Sequence, residues 1–363
     1  MANTFFASHT SAAPSGRDIR QKILLRLAEL WVYLSKQEDQ DLTPHAHTPL
    51  VRIEQVSKIG KNLERPESVH FFSDGSLAAS HRGRGVSRIL PNGDVTTIGP
   101  DPAIANSHEL VPNGIAPLAD GSFLLSNIGE GGGIWHLSPE GTLSPHLMEA
   151  DGIALAAANF IMTDAQDRTW ITVSTIRQPR FDAYSDKVAD GLIVLMDQSG
   201  ARILADDICF SNECRLTPDG TGLVISETFS RRITHFDLVG GELKNRRTLA
   251  QFGRGDFPDG IRFDSQGHLW VTCIVSNRIW RIAPDGSRTL VLEDCDAALV
   301  DRVETALAEG QMGREHFYDT GTSRLCNMAS IDFSSDESTA YVGSLCGDAI
   351  LTFPISTVLG DHQ

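Results

Sequence analysis

Residues 257–286 read FPDGIRFDSQGHLWVTCIVSNRIWRIAPDG, short runs rich in β-branched and aromatic residues, each stopped by Gly, Pro, Asp or Asn. That punctuation predicts strands joined by tight turns. The inner turn of this stretch, DSQGHLWVT (264–272), has five counterparts: FSDGSLAAS (72–80), LADGSFLLS (118–126), DAQDRTWIT (164–172), TPDGTGLVIS (217–226) and SSDESTAYVG (334–343). The turn-glycine position falls at Gly75, Gly121, Asp167, Gly220, Gly267 and Glu337, so successive turns lie 46, 46, 53, 47 and 70 residues apart. All but the last spacing match or approach a four-stranded propeller blade. An outer hairpin follows each inner turn: GVSRILPNGDV, GIWHLSPEGTL, GLIVLMDQSGAR, RITHFDLVGGEL, RIWRIAPDGSR and, truncated, AILTFPI. Two hairpins per repeat mean four strands per blade. The expected fold is therefore all-β, a six-bladed β-propeller over 49–363, with the missing last strand supplied by the segment around Val51 to Val56. Ring closure removes the exposed strand edges that would otherwise aggregate.

The flanks and the one long spacing are read differently. Residues 1–16 are rich in Ser, Ala, Pro and Gly and are expected to be a disordered tail. Residues 17–48 are expected to be an N-terminal helical extension: from Arg17 to about Lys36, Ile19, Ile23, Leu24, Leu27, Leu30, Trp31 and Leu34 recur at helical spacing. A helix packed on its own domain is the simpler use of that stripe, a dimer contact the other, so monomer and homodimer both stay open. The 70-residue spacing signals an insertion between blades five and six. Its first part, DCDAALVDRVETALAEGQM (294–312), has helical composition with Leu299, Val303, Ala306 and Leu307 on one side. In a four-stranded blade that connection falls on the face where the inner strands open, so 294–326 is expected to be a lid-like wall, with a plain surface loop as the alternative.

Composition narrows the partners. The 363 residues carry 31 Lys plus Arg against 47 Asp plus Glu, a formal charge of -16. That balance argues against nucleic acid or an anionic membrane surface and favours a small ligand or a cation. The six cysteines, at 209, 214, 273, 295, 326 and 346, form no CxxC pair, which excludes a zinc ribbon or a thioredoxin-type motif. Free thiols, no basic and apolar leader, and no apolar run of membrane-spanning length lead to the expectation of a soluble, cytoplasmic protein.

Counting back eight residues from each inner turn gives Glu67, Asn113, Asn159, Asn212, Asp259 and, breaking the pattern, Ala329. Side-chain oxygens in one register of successive blades converge if the blades surround an axis. Asn113 alone reads as a turn former. Glu67, Asn159, Asn212 and Asp259 together offer two carboxylates and two amide oxygens, a set that suits hard divalent cations and not thiolate-type zinc.

The stretches FSNECRLTPDGTGLVISETFSRRITHFDL (210–238) and FPDGIRFDSQGHLWVTCIVSNRIWRIAPDG resemble blades of the gluconolactonase and senescence marker protein (regucalcin) family of six-bladed propellers. The resemblance runs from about Glu64 to Ile355 and is strongest between Asn159 and Gly286. It implies one axial divalent metal, calcium first with magnesium, manganese, zinc or iron as alternatives. The ligands it implies are Glu67, Asn212 and Asp259, with Asn159 beside or on the metal. It further implies hydrolysis of a lactone whose carbonyl the metal polarises, Asp259 activating water, with attack by the metal's own hydroxide left open.

Two departures bear on the substrate. Where sugar-lactone hydrolases of this type often carry an arginine and an aspartate around the middle asparagine, this chain has Ala157 and Phe160, within the run GIALAAANF. Unmatched buried hydroxyls cost about 1–3 kcal/mol each, so a lactone or ester less polar than an aldonolactone is expected. Asn113, Phe160, His108 near the start of blade two and His316 in the insertion are the candidate substrate contacts. Cys209 and Cys214 flank Asn212 without a histidine at motif spacing and read as packing thiols. The competing functions are a non-catalytic propeller that binds calcium or another ligand, and a metal-free enzyme like strictosidine synthase.

Overall fold

The structure, a computed structural model, describes residues 48–359. The expected tail over 1–16 and the expected helix from Arg17 to Lys36 lie outside the described residues. All six inner-turn positions adopt left-handed backbone, with φ of 82° at Gly75, 86° at Gly121, 60° at Asp167, 69° at Gly220, 78° at Gly267 and 51° at Glu337. A Cβ is costly in that region, which is why glycine holds four of the six places. Each turn folds an inner strand back on a second strand, and among the described residues the result is six four-stranded antiparallel sheets and one two-stranded ribbon.

The inner strands are Val69–Phe71, Pro112–Pro117, Ala158–Thr163, Ser211–Leu216, Asp256–Phe263 and Met328–Phe333. Those of blades two to six touch in succession, blade six reaches the inner strand of blade one, and blade one reaches blade two through its second strand, which closes a ring. Blade six takes its outermost strand from Ser57–Ile59, with Ser57 opposite Thr352 and Ile59 opposite Ile350. The closing strand therefore starts just after the Val51–Val56 segment expected from the sequence. Val51 is wholly buried between blades five and six and donates its N–H to Val291 O at 2.8 Å, and Ile53–Gln55 form a single 3-10 turn before the strand begins.

Stacking of blades explains the strand composition. Second strands such as Leu269–Val275 are buried at every position, whereas the outermost strand of blade four, Glu242–Gln251, is exposed over most of its length. Both faces of a second strand meet a neighbouring blade, so it reads as a continuous apolar run without alternation. The hydrophobic core is accordingly divided into packets between blades: Phe160 and Trp170 of blade three, for example, pack on Cys214 and Leu223 of blade four. In blades three and five the buried tryptophans are also tethered, Trp170 Nε1 donating to Asp164 Oδ2 and Trp270 Nε1 to Asp264 Oδ2, both at 2.8 Å.

A further apolar cluster lies beyond the sheets. Helix α1 (Pro102–Ser107) connects blades one and two, and α2 (Ala297–Glu309) and α3 (Glu315–Tyr318) occupy the connection between blades five and six. Asp296 caps α2, its Oδ1 accepting from Ala298 N at 2.9 Å and Leu299 N at 3.1 Å, and Gly310 ends the helix at φ 68°. The α2 stripe of Leu299, Val300, Val303, Ala306 and Leu307 packs with Tyr184, Phe210, Phe229, Phe257 and Phe317. Among the described residues no helix is long and apolar enough to cross a membrane.

Candidate metal centre

The register residues sit at β-bulges. Pairing of inner with second strand slips between Pro112 and Ile115, Ala158 and Phe160, Ser211 and Cys214, Pro258 and Ile261, and Met328 and Ile331, the intervals that contain Asn113, Asn159, Asn212, Asp259 and Ala329. A bulge re-aims a side chain and leaves backbone groups without ladder partners. Hydroxyls on the second strands satisfy them. Ser126 Oγ accepts from Gly114 N at 2.7 Å and donates to Asn159 O at 2.6 Å. Thr172 Oγ1 accepts from Phe160 N at 3.1 Å and donates to Asn212 O at 2.5 Å. Ser226 Oγ accepts from Glu213 N at 3.1 Å and donates to Asp259 O at 2.6 Å, and Thr272 Oγ1 joins Gly260 N to Ala329 O in the same way. Each hydroxyl ties the bulge of one blade to the register residue of the next. In blade six the equivalent place is Gly343, where any Cβ would collide with Glu67 O, and Ser330 Oγ donates to that oxygen at 2.8 Å. These residues end the quoted turn stretches. Their signal was periodic, but a Ser or Thr closing a strand carries no chemistry of its own to single it out.

So held, the axial side chains share one cavity of about 600 Å³, lined by Glu67, Asn113, Asn159, Asn212, Thr228 and Asp259 among others. All except Thr228 are register residues, and each is at most 3% exposed. Asn113 Nδ2 donates to Glu67 Oε1 at 2.9 Å and to Asn159 O and Oδ1 at 3.0 Å. Asn113 thus orients its neighbours, and its own Oδ1 accepts from Arg65 Nη2 at 2.8 Å. Asn159 Nδ2 donates to Ser174 Oγ at 2.8 Å, and Asn212 Nδ2 to Thr228 Oγ1 at 3.1 Å. Two buried oxygens remain without a hydrogen-bond partner, Asn212 Oδ1 and Asp259 Oδ1. A buried acceptor left unmatched costs about 1–3 kcal/mol, so native proteins keep such atoms where something else uses them. Among the described residues no three His, Cys, Asp or Glu side chains gather as a metal cluster, and the convergent set is two carboxylates with amides. Those oxygens match a hard divalent cation in kind, and two of them have no hydrogen-bond partner in the protein.

The same crowding strains the carboxyls. Burial, with the nearby charge of Glu213, pushes the Glu67 carboxyl up to about 7 against the pull of Arg65 and Arg180. Burial first, then Glu67 and Glu213, raises Asp259 well above the usual carboxylate range, with Arg65 and a hydrogen bond from Asn212 opposing. Two like charges in a dry site disfavour joint ionisation, and a cation between them reverses that penalty. Arg65 stands where a partial counter-charge is needed: the residue is 8% exposed, and its guanidinium is within electrostatic reach of Glu67, Asp259 and Tyr318.

Several candidate contacts lie elsewhere. His108 caps α1 on the exposed side with its ring against Trp135 at 4.7 Å, and is not among the cavity-lining residues. His316 turns back on its own loop, Nδ1 accepting from Gly313 N at 3.0 Å, and the insertion instead brings Arg314, Phe317 and Tyr318 to the cavity. Phe160 points into the packet between blades three and four, where Arg215 covers its ring at 4.3 Å, and Ala157 is buried away from the cavity as well. A low substrate polarity was inferred from those two positions, which do not face the ligand space. Other residues set the polarity. Arg65, Arg82, Arg84, Arg180 and Arg314 all line the cavity, and sequence reading missed them because they sit in connections that share no repeat phase.

A family model described as the SMP-30/gluconolactonase/LRE-like region matches residues 93–293, more than half of the chain. The chain belongs to the SMP-30/gluconolactonase/LRE-like family. Within reach of this family member, 6-deoxy-6-sulfogluconolactonase of Pseudomonas putida is 30% identical over 158 residues, 42% of this chain and 52% of the relative. Protein strictosidine synthase-like 6 of Arabidopsis thaliana is 29% identical over 146 residues, 38% of each chain. The alignments thus span about half or less of these relatives' length. A solved gluconolactonase from Xanthomonas campestris superposes with a TM-score of 0.61 at 18% identity, covering 82% of this chain and 89% of that one, which shows the shared propeller fold.

Proposed function

We propose that this SMP-30-like protein is a metal-dependent hydrolase that opens a lactone, with a divalent cation, calcium first, held by Glu67, Asn212 and Asp259. The observation that carries the reading is the pair of buried, unpartnered oxygens, Asn212 Oδ1 and Asp259 Oδ1, on two residues that line the same cavity as Glu67. Asn159, whose Oδ1 already accepts from Asn113, stands beside the cation as a support. When bound, the cation supplies the positive charge that polarises the lactone carbonyl and offsets the developing oxyanion. The residues do the rest. Asp259, a buried carboxylate on the cavity wall, takes the proton of the attacking water. Asn113 and Thr228 hold the amide and carboxyl groups in one orientation, and Arg65 limits the negative charge around them. The connection 294–326 serves as a wall over the cavity, contributing Phe317 and Tyr318 to its lining. Relatives named as a sulfogluconolactonase and a gluconolactonase support the reaction class.

The test is removal of metal with EDTA and add-back of calcium, magnesium, manganese, zinc or iron, with proton release followed on sugar, aliphatic and aromatic lactones. Metal should restore hydrolysis, and Asp259→Asn should lower kcat by about 10²–10⁴. Hydrolysis indifferent to chelation would favour a metal-free enzyme like strictosidine synthase. Metal binding with no lactone or ester turned over would make the protein a binding module.

A further inference from the structure

Away from the two axial carboxylates, Glu67 and Asp259, arginines outnumber acids on the cavity wall. On a chain of net charge -16, five arginines line one cavity, and the acids of its wall away from the axis are Glu64, Glu109 and Glu130, all exposed. Arg180 is the arginine best placed for a ligand. It lies in a single 3-10 turn, Arg180–Ala183, anchored by buried Ala183 and Tyr184 in the aromatic cluster. Its guanidinium lies 5.2 Å from the Phe210 ring and 5.9 Å from the Tyr184 ring, and its Nε is buried without a hydrogen-bond partner. Among the described residues no carboxylate pairs with it. Arg314, the residue that opens α3, has its guanidinium 5.4 Å from the ring of Phe181, the residue that follows Arg180, so both arginines approach the same turn. Arg180 is also close enough to the axis to act on the Glu67 carboxyl. Guanidinium groups backed by aromatic rings present their N–H forks to planar or tetrahedral oxyanions, and shielding from water strengthens the pair.

We propose that the cavity takes a lactone bearing an acidic substituent, a carboxylate, sulfonate or phosphate, gripped by Arg180 with Arg314 while the ring carbonyl sits at the axis. The proposal rests on the lactonase reading for the ring and on the arginines alone for the substituent.

Two experiments separate those parts. EDTA-treated protein is titrated calorimetrically with glucose, glucuronate, glucose 6-sulfate and glucose 6-phosphate, none of which is a lactone. At least one acidic sugar should bind tenfold or more tighter than glucose, Arg180→Gln should remove that margin, and Arg180→Lys should keep part of it. Arg314→Gln, at an exposed position, should narrow it without risk to folding, and the ranking of the three acids identifies the oxyanion. Metal-loaded protein is then assayed on the δ-lactones of gluconate, 6-phosphogluconate and 6-deoxy-6-sulfogluconate, where the acidic-to-neutral ratio of kcat/KM should fall about tenfold in Arg180→Gln. Equal binding of acidic and neutral sugars, or a ratio unmoved by both arginine variants, overturns the acidic-substrate proposal even if lactones are hydrolysed. Acidic sugars bound through Arg180 with no lactone turned over would overturn the lactonase reading and leave the anion site standing.

Discussion

Replacing Glu67 with Gln in metal-free protein should make the protein more stable at pH 8, because the wild-type carboxylate is held there against its environment. Burial and the charge of Glu213 move this group from 4.5 to about 7. A carboxyl with a raised folded value binds more protons folded than unfolded between pH 4.5 and 7, so wild-type stability falls as pH rises through that window and levels off above it. At 1.36 kcal/mol per unit the loss is about 3 kcal/mol. Gln has the same size, still accepts from Asn113 Nδ2, and does not titrate. Urea denaturation of EDTA-treated protein should therefore show Glu67→Gln losing about 3 kcal/mol less than wild type from pH 5 to pH 8, with the loss due to the raised Asp259 carboxyl remaining in both. Calcium at a hundredfold over its Kd should return about 2.7 kcal/mol to wild type at pH 8 and far less to the variant. A variant that is equally pH-dependent, or is stabilised by calcium as strongly as wild type, would refute the placement of Glu67 in a crowded cation site.

Two further substitutions probe the scaffold behind the axis. Ser226→Ala removes the hydroxyl between Glu213 N and Asp259 O and should destabilise the fold by about 2–4 kcal/mol while weakening metal affinity, measured by denaturation and by metal titration. Gly343→Ala puts a Cβ into the backbone oxygens of Pro66 and Glu67 and should separate blades one and six, read as a loss of soluble folded protein or a lowered Tm, whereas Gly310→Ala, with open space around it, should cost only the strain of its φ of 68°.

Repeat phase made most of the fold legible. The six turns, the four strands per blade and the α2 stripe are local patterns, and a left-handed turn or an apolar stripe needs only its own few residues to declare itself. The register residues were legible for the same reason: Glu67, Asn113, Asn159, Asn212 and Asp259 share one phase, and the cavity holds all five. The closing strand was placed early, because Val51 has strand composition but fills the gap between blades five and six. The histidines were misplaced for a related reason. His108 and His316 are near the cavity in sequence, but their directions depend on α1 and on the loop around Gly313.

What the chain's own order determined is the periodic part: turn handedness, blade count, and the identity and phase of the axial oxygens, since each repeats a local rule. Tertiary structure alone decided which oxygens are left without partners and which arginines reach them. Asn212 and Asp259 become unmatched only when blades four and five bulge against each other under Thr172, Ser226 and Thr272. Arg65, Arg180 and Arg314 come from three connections of unrelated length, and side chains outside the repeat meet only when the ring has closed and the aromatic cluster has packed.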